Sequence, residues 1–208
     1  MCDSIPRFEF RAFAQSFGLV TEKLRGQSVC SDISESVETY IVAGGVEDEN
    51  VKVRDDRLEM KRMIEQRGPL ERWEPCGEET FPVSRGFLER RLLPILGVKN
   101  VKLKRKQYSI AELIREIVET RLDVSQARVF KRRFRFSRDE CLMEIVELLV
   151  NGAAISSVAV ESKDPDSVLA MVNTLGLGEY DNVNYPRAIR RIMGLEQLAN
   201  RASDGHRD

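Results

Sequence analysis

An α+β protein, with an antiparallel sheet able to close into a barrel, is the fold this sequence predicts. Three observations carry the prediction: roughly eight segments alternate apolar and polar residues, helical patterns fall at the joins and at the C-terminal end, and several strands carry one apolar and one charged face. No internal repeat, low-complexity stretch or domain-separating linker appears, so a single domain over 1–195 with a polar tail at 196–208 is expected.

The elements follow in order. "IPRFEFRAF" (5–13) alternates as a strand, and Phe13, Phe17, Val20 and Leu24 then fall at helical steps that end near Gly26. "SVETYIVAGG" reads as a strand stopped by Gly44-Gly45, and "NVKVRDDRLEMKRMIE" as a hairpin around Asp55-Asp56. "QRGPLERWEPCGEE", with two prolines and two glycines, reads as a loop leading into "TFPVS". Helices are expected over 85–96 and 110–121, the second with Ser109 as N-cap and Glu112 as its capping-box partner. Between them "NVKLKRKQY" alternates Lys102, Lys104 and Lys106 as a strand would, and "ARVFKRRFRFS", "ECLMEIVELLVNG" and "ISSVAVES" give three further strands. Asp164, Pro165 and Gly176 bracket the helix in "DPDSVLAMVNTLGLG", and "YPRAIRRIMGLEQL" makes the last one.

Composition narrows the function. Hydrophobic residues make up 42% and charged residues 32%, a foldable and charge-rich balance. A formal net charge of -1 excludes a generally basic nucleic-acid binder. Residues 98–138 nevertheless hold thirteen Lys or Arg against four acids, a net of +9, while 139–166 hold seven acids against one Lys, a net of -6. Cys2, Cys30, Cys76 and Cys141 form no CxxC pair and His206 is the single histidine, which argues against a zinc site or a histidine-based triad. Neither a signal-like N-terminus nor an apolar run approaching ~18 residues is present, so a cytoplasmic protein with reduced thiols and no membrane partner is expected.

Side chains alternate along a strand. Lys131, Arg133 and Arg135 therefore share a face opposite Phe130, Arg132, Phe134 and Phe136; Lys52 and Arg54 lie opposite Val51 and Val53; Glu59 and Lys61 lie opposite Leu58 and Met60; Arg7, Glu9 and Arg11 lie opposite Phe8 and Phe10. A solvated sheet face, a nucleic-acid groove and a phosphate-binding barrel interior are the three readings. Lined-up cations on paired strands are destabilising unless a polyanion or interleaved carboxylates neutralise them, which favours function over solubility.

The order of "E-x-[KR]" on the first strand, "ETY", "NVKVRDDRLEMK", "VFKRRFRF", "SVAVESKDPDSVLAMVNTLGL" and "NVNYPRAI" resembles the CYTH superfamily of triphosphate tunnel metalloenzymes over about residues 5–193. That superfamily includes class IV adenylate cyclases, thiamine triphosphatases and inorganic tripolyphosphatases. The resemblance implies an eight-stranded antiparallel barrel with peripheral helices, whose tunnel binds a triphosphate through basic side chains and holds Mg²⁺ or Mn²⁺ through glutamates. It implies Arg11, Lys52, Arg54, Lys61, Lys131, Arg133 and Arg135 as phosphate ligands and Glu9 and Glu161 as catalytic acids. Glu9, Glu161 and either Glu144 or Glu147 are the implied metal ligands. Arg7 and Ala159 stand where the family pattern has glutamates.

The function expected is metal-dependent hydrolysis of tripolyphosphate, thiamine triphosphate or a nucleoside triphosphate; no adenine pocket points to a cyclase. The alternative is a binding module for nucleotide or polyphosphate that has lost the chemistry. An RNA groove on 98–138 ranks last, since its phenylalanines lie opposite its cations, where they cannot stack bases beside them. Oligomeric state, a homodimer included, is left open, Arg132 is expected at the surface and Tyr185 in packing.

Overall fold

The computed structural model describes residues 6–196; Cys2, His206 and the polar tail from 197 lie outside them. Its strands are β1 (Phe8–Ala14), β2 (Cys30–Ala43), β3 (Glu49–Arg54), β4 (Arg57–Arg67), β5 (Leu70–Thr80), β6 (Val83–Ser84), β7 (Gln107–Tyr108), β8 (Val124–Arg138), β9 (Cys141–Val150) and β10 (Ala153–Ser162). Eight of them form a closed antiparallel barrel in the order β1-β10-β9-β8-β2-β3-β4-β5, and β6 and β7 pair separately. The helices are α1 (Leu19–Gln27), α2 (Arg85–Phe87) and α3 (Leu93–Ile95) on either side of a π turn, α4 (Ile110–Leu113) running into a second π turn, α5 (Pro165–Leu175) and α6 (Tyr185–Ile192). Among the described residues no helix is long and apolar enough to cross a membrane.

Local chemistry explains the hairpins. Asp55-Asp56, Asp139-Glu140 and Asn151-Gly152 each have φ between 47° and 90°, the left-handed pairs that match strand twist in two-residue turns. Asp164 accepts from the N–H groups of Asp166 and Ser167 at the start of α5, Gly176 ends it at φ 80°, and Ser109 and Glu112 form the expected capping box.

Two segments differ from expectation. "LERWEPCGEET" is strand β5, not a loop: Gly68 turns the chain at φ 57°, and Gly77 lies where a Cβ would come within 2.4 Å of Met60 Cε. Its glycines thus mark a tight turn and a close approach of strand to core. "NVKLKRKQY" is irregular except for Gln107–Tyr108. There the buried Val98 and Leu103 anchor the chain, and Tyr108 Oη accepts the N–H groups of Lys104 and Arg105 that a ladder would otherwise have used.

The chain forms two compact units. One comprises residues up to Val37, Met63–Glu74 and Val129–Asn184; the other comprises Glu38–Arg62, Pro75–Arg128 and the residues from Tyr185 onward. In the first, Val20 and Leu24 of α1 and Val168, Met171, Val172 and Leu175 of α5 pack on Phe8, Phe10, Met143, Ile145, Val158 and Val160. In the second, Leu88, Leu92, Leu113 and Ile117 pack on Ile41, Val51, Val53, Leu58 and Met60. Each fully buried leucine contributes roughly 1.5–3 kcal/mol through lost apolar exposure. Both cores form between helices and one face of the strands, while Glu9, Arg11, Lys131, Arg133 and Glu144 lie on the opposite face, among apolar residues such as Val146 and Leu148, turned to the inside of the closed barrel.

Candidate functional site

On the first unit, strand register brings the charged residues into rows. Glu9 lies opposite Glu161 on β10 and Glu71 on β5; Arg11 lies opposite Ala159, which lies opposite Glu144, which lies opposite Arg135. Carboxylates paired on adjacent strands, as Glu9 and Glu161 are, repel one another unless a cation intervenes. Arg11, only 4% exposed, is that cation. Its Nε donates to Glu9 Oε1 at 2.5 Å, and its Nη2 lies 2.7 Å from Glu144 Oε1 and 4.0 Å from Glu161 Oε1. Nη1 donates to the buried Ser157 Oγ at 3.3 Å. The backbone holds Arg11 as well: its N–H donates to Asn182 Oδ1 and its carbonyl accepts from Val183 N–H, both at 2.7 Å.

Burial alone would push the Glu144 carboxyl up, but the adjacent Arg11, helped by Arg133 and Lys131, holds it below the usual carboxylate range. Lys131 is 1% exposed and Arg133 is 9% exposed, with Arg133 Nη1 donating to Ser36 Oγ at 2.9 Å. Arg135 is half exposed and paired with Asp32 at 2.5 Å. Beside these residues a cavity of about 230 Å³ is lined by Ser31, Arg135, Glu144, Ala159 and Glu161 among others.

The second unit carries a different cluster. Lys52 Nζ lies 3.5 Å from Glu38 Oε1 and 3.3 Å from Glu59 Oε2; Arg54 reaches the same two carboxylates at 3.6 and 2.7 Å. The Glu38 side chain is wholly buried. Burial lowers the Lys52 pKa from its ordinary 10.5 despite both acids. Asn50 Oδ1 is buried without a hydrogen-bond partner. Tyr40, opposite Lys52 in register, stacks on Tyr185 with ring centroids 5.7 Å apart, the packing role expected of Tyr185.

The nominated residues sort accordingly. Glu9, Arg11, Glu144, Glu161, Lys131 and Arg133 share the charged face of the first unit, with Arg135 at its exposed margin. Lys52 and Arg54 share that of the second, where Lys61 lies on the same face but is solvent-exposed. Glu147 drops out as a candidate: it pairs with Arg132 at 3.6 Å on the opposite face, both about half exposed. The RNA-groove reading required Lys131, Arg133 and Arg135 to face outward; Lys131 and Arg133 are buried, and of the three Arg135 alone is half exposed. Glu71 is an inner-face acid that sequence reading missed because β5 reads as a loop; it accepts from Trp73 Nε1 at 3.0 Å and from Asn184 Nδ2 at 3.2 Å.

Mg²⁺ and Mn²⁺ need several oxygen ligands converging on one point. Among the described residues no three His, Cys, Asp or Glu side chains are placed to hold a metal ion. The three glutamates nominated for it surround a guanidinium instead, so the donor set does not fit such an ion.

No family model matches the chain, and no curated protein matches it. Several solved structures resemble it. A Pyrococcus horikoshii OT3 protein, PH1012, is 15% identical with a TM-score of 0.49, over 88% of this chain and 98% of that chain. A Bacillus halodurans protein described as a putative adenylate cyclase is 8% identical with a TM-score of 0.49, over 86% and 96%. A Hippeastrum putative adenylyl cyclase, described as having a dominant triphosphatase activity, is 11% identical with a TM-score of 0.47, over 90% and 96%. The barrel this chain forms, closed, antiparallel and eight-stranded with helices against its apolar faces, is the architecture that resemblance to the CYTH superfamily implied.

Proposed function

We propose that this chain is a CYTH-like protein that binds a linear triphosphate group inside its barrel and hydrolyses it. Inorganic tripolyphosphate, thiamine triphosphate and nucleoside triphosphates are the substrate classes. The observation that supports this most is the burial of Lys131 and Arg133 on a face shared with Arg11. Cations gathered on one interior face concentrate positive charge where water is scarce, and the many oxygens of a polyphosphate suit such a face. Lys52, Arg54, Lys61 and Arg135 are the further cations nominated as phosphate ligands under the same proposal.

In the hydrolysis, a water oxygen bonds to the terminal phosphorus as the bridging P–O bond breaks, its electron pair leaving with the diphosphate portion. The water's proton passes to a carboxylate. We assign that role to Glu161, on the inner face of β10 with Oε1 4.0 Å from Arg11 Nη2. Glu9 orients Arg11 through its 2.5 Å bond, and the surrounding cations stabilise charge on the transferring group.

A second reading, a binding module without turnover, is favoured by Arg7 and Ala159 at the positions of two family glutamates. The test is direct: phosphate release and calorimetric binding with tripolyphosphate, thiamine triphosphate and ATP, each with and without Mg²⁺ or Mn²⁺. Binding with product supports hydrolysis, and binding without product the module. No binding of any of the three removes both.

A further inference from the structure

We infer that Arg11 is the resident cation of the first unit's acidic rows, and that it makes triphosphate recognition by this barrel independent of a divalent ion. Glu9, Glu144 and Glu161 come from three strands and converge, as metal ligands would, but on a side chain of the protein. Arg11 is held from both sides. Its guanidinium contacts the three acids and Ser157, while its backbone N–H and carbonyl bond to Asn182 and Val183. A group tied at both ends is not readily displaced by an ion that must itself shed water to bind.

Register gives an independent argument. Ala159 sits directly between Arg11 and Glu144 and is fully buried. It supplies no oxygen to the row, and the Arg11 side chain spans across it to Glu144. A short apolar residue there makes room for the guanidinium, where a glutamate would add a ligand and crowd it. Lys131 and Arg133 on the same face lower the acids' attraction for a second cation still further.

Half of this inference, the exclusion of metal by Arg11, stands on the unit's own geometry; the other half rests on the triphosphate reading above. Two measurements separate them. Electron paramagnetic resonance of Mn²⁺ titrated into the wild-type protein without phosphate should show only free ion. Calorimetry with tripolyphosphate should give tight binding in EDTA, no more than about twofold weaker than in Mg²⁺. Arg11→Met, which uncovers the three carboxylates, should gain a bound Mn²⁺, and Arg11→Lys should not.

Stoichiometric Mn²⁺ on the wild type overturns the inference, and so does tripolyphosphate binding that weakens more than about tenfold in EDTA. An Arg11→Met protein that folds and still takes up no Mn²⁺ also overturns it; if that variant does not fold, the wild-type spectra decide. Absence of tripolyphosphate binding under both conditions would sink the proposed function, while the Mn²⁺ titration would still rule on Arg11.

Discussion

The two charged clusters neutralise buried carboxylates in different ways. In the first unit one arginine serves three acids from β1, β9 and β10. In the second, Lys52 and Arg54 share Glu38 and Glu59 two against two, so each acid keeps a cation if the other is lost. The first cluster converges on one guanidinium, with Arg133 and Lys131 also acting on Glu144; the second shares its two acids between two cations. Convergence fixes geometry at one point, which suits a site for chemistry. Redundancy tolerates changes of protonation, and the lowered Lys52 pKa shows that it operates under strain from burial.

The contrast is broken most severely at Arg11. Arg11→Met leaves buried carboxylates facing one another and should cost about 3–5 kcal/mol in urea unfolding. Lys52→Met should cost less, about 1–2 kcal/mol, because Arg54 remains on both acids. Equal losses would show that the second cluster is no more redundant than the first.

Acid sharpens the comparison. Glu144 has a folded pKa below its ordinary 4.5, so the stability it contributes is fully present above that value and is lost as pH falls through the depressed one. Thermal unfolding followed downward from pH 4.5 should show a larger loss in the wild type than in Glu144→Gln, where Asp164, Asp123, Glu112 and Glu116 still contribute. Lys52 behaves in the opposite sense: its lowered pKa makes the charged form costly, and that cost fades as pH rises toward 10.5. A polyphosphate bound as proposed favours the charged form, so its binding at alkaline pH should take up protons, a signal that Lys52→Met reduces. Calorimetry in buffers of different ionisation enthalpy reads this directly. The smallest effect belongs to the outer pair: Glu147→Gln should change stability by less than about 0.5 kcal/mol, as expected of an exposed ion pair.

Much of this was legible in the sequence where the signal was local. The Asp55-Asp56 hairpin, the Ser109 capping box and the Asp164–Gly176 bracket of α5 each rest on chemistry within a few residues. So do the faces: strict alternation placed Lys131 and Arg133 together, and Lys52 with Arg54. What failed depended on partners distant in sequence. Gly77 reads as a turn residue until Met60 is seen against it, and with β5 unread, Glu71 was lost from the acidic row. "NVKLKRKQY" has strand alternation, but Tyr108 Oη takes the backbone donors that would have formed a ladder. The choice between Glu144 and Glu147 also needed the register, which sets one against Arg135 and the other against Arg132. Glu9, Glu144 and Glu161 were nominated as metal ligands, but they surround Arg11, and the sequence held no sign that Arg11 would reach all three.

Both apolar cores lie between helices and strands, so the scaffold's main apolar burial does not depend on the charged residues of its inner face. Inner positions that make no buried ion pair can therefore change while the scaffold stays standing, much as a lining is changed without rebuilding a house. On such a frame, affinity and ion preference are free to diverge long before the architecture does.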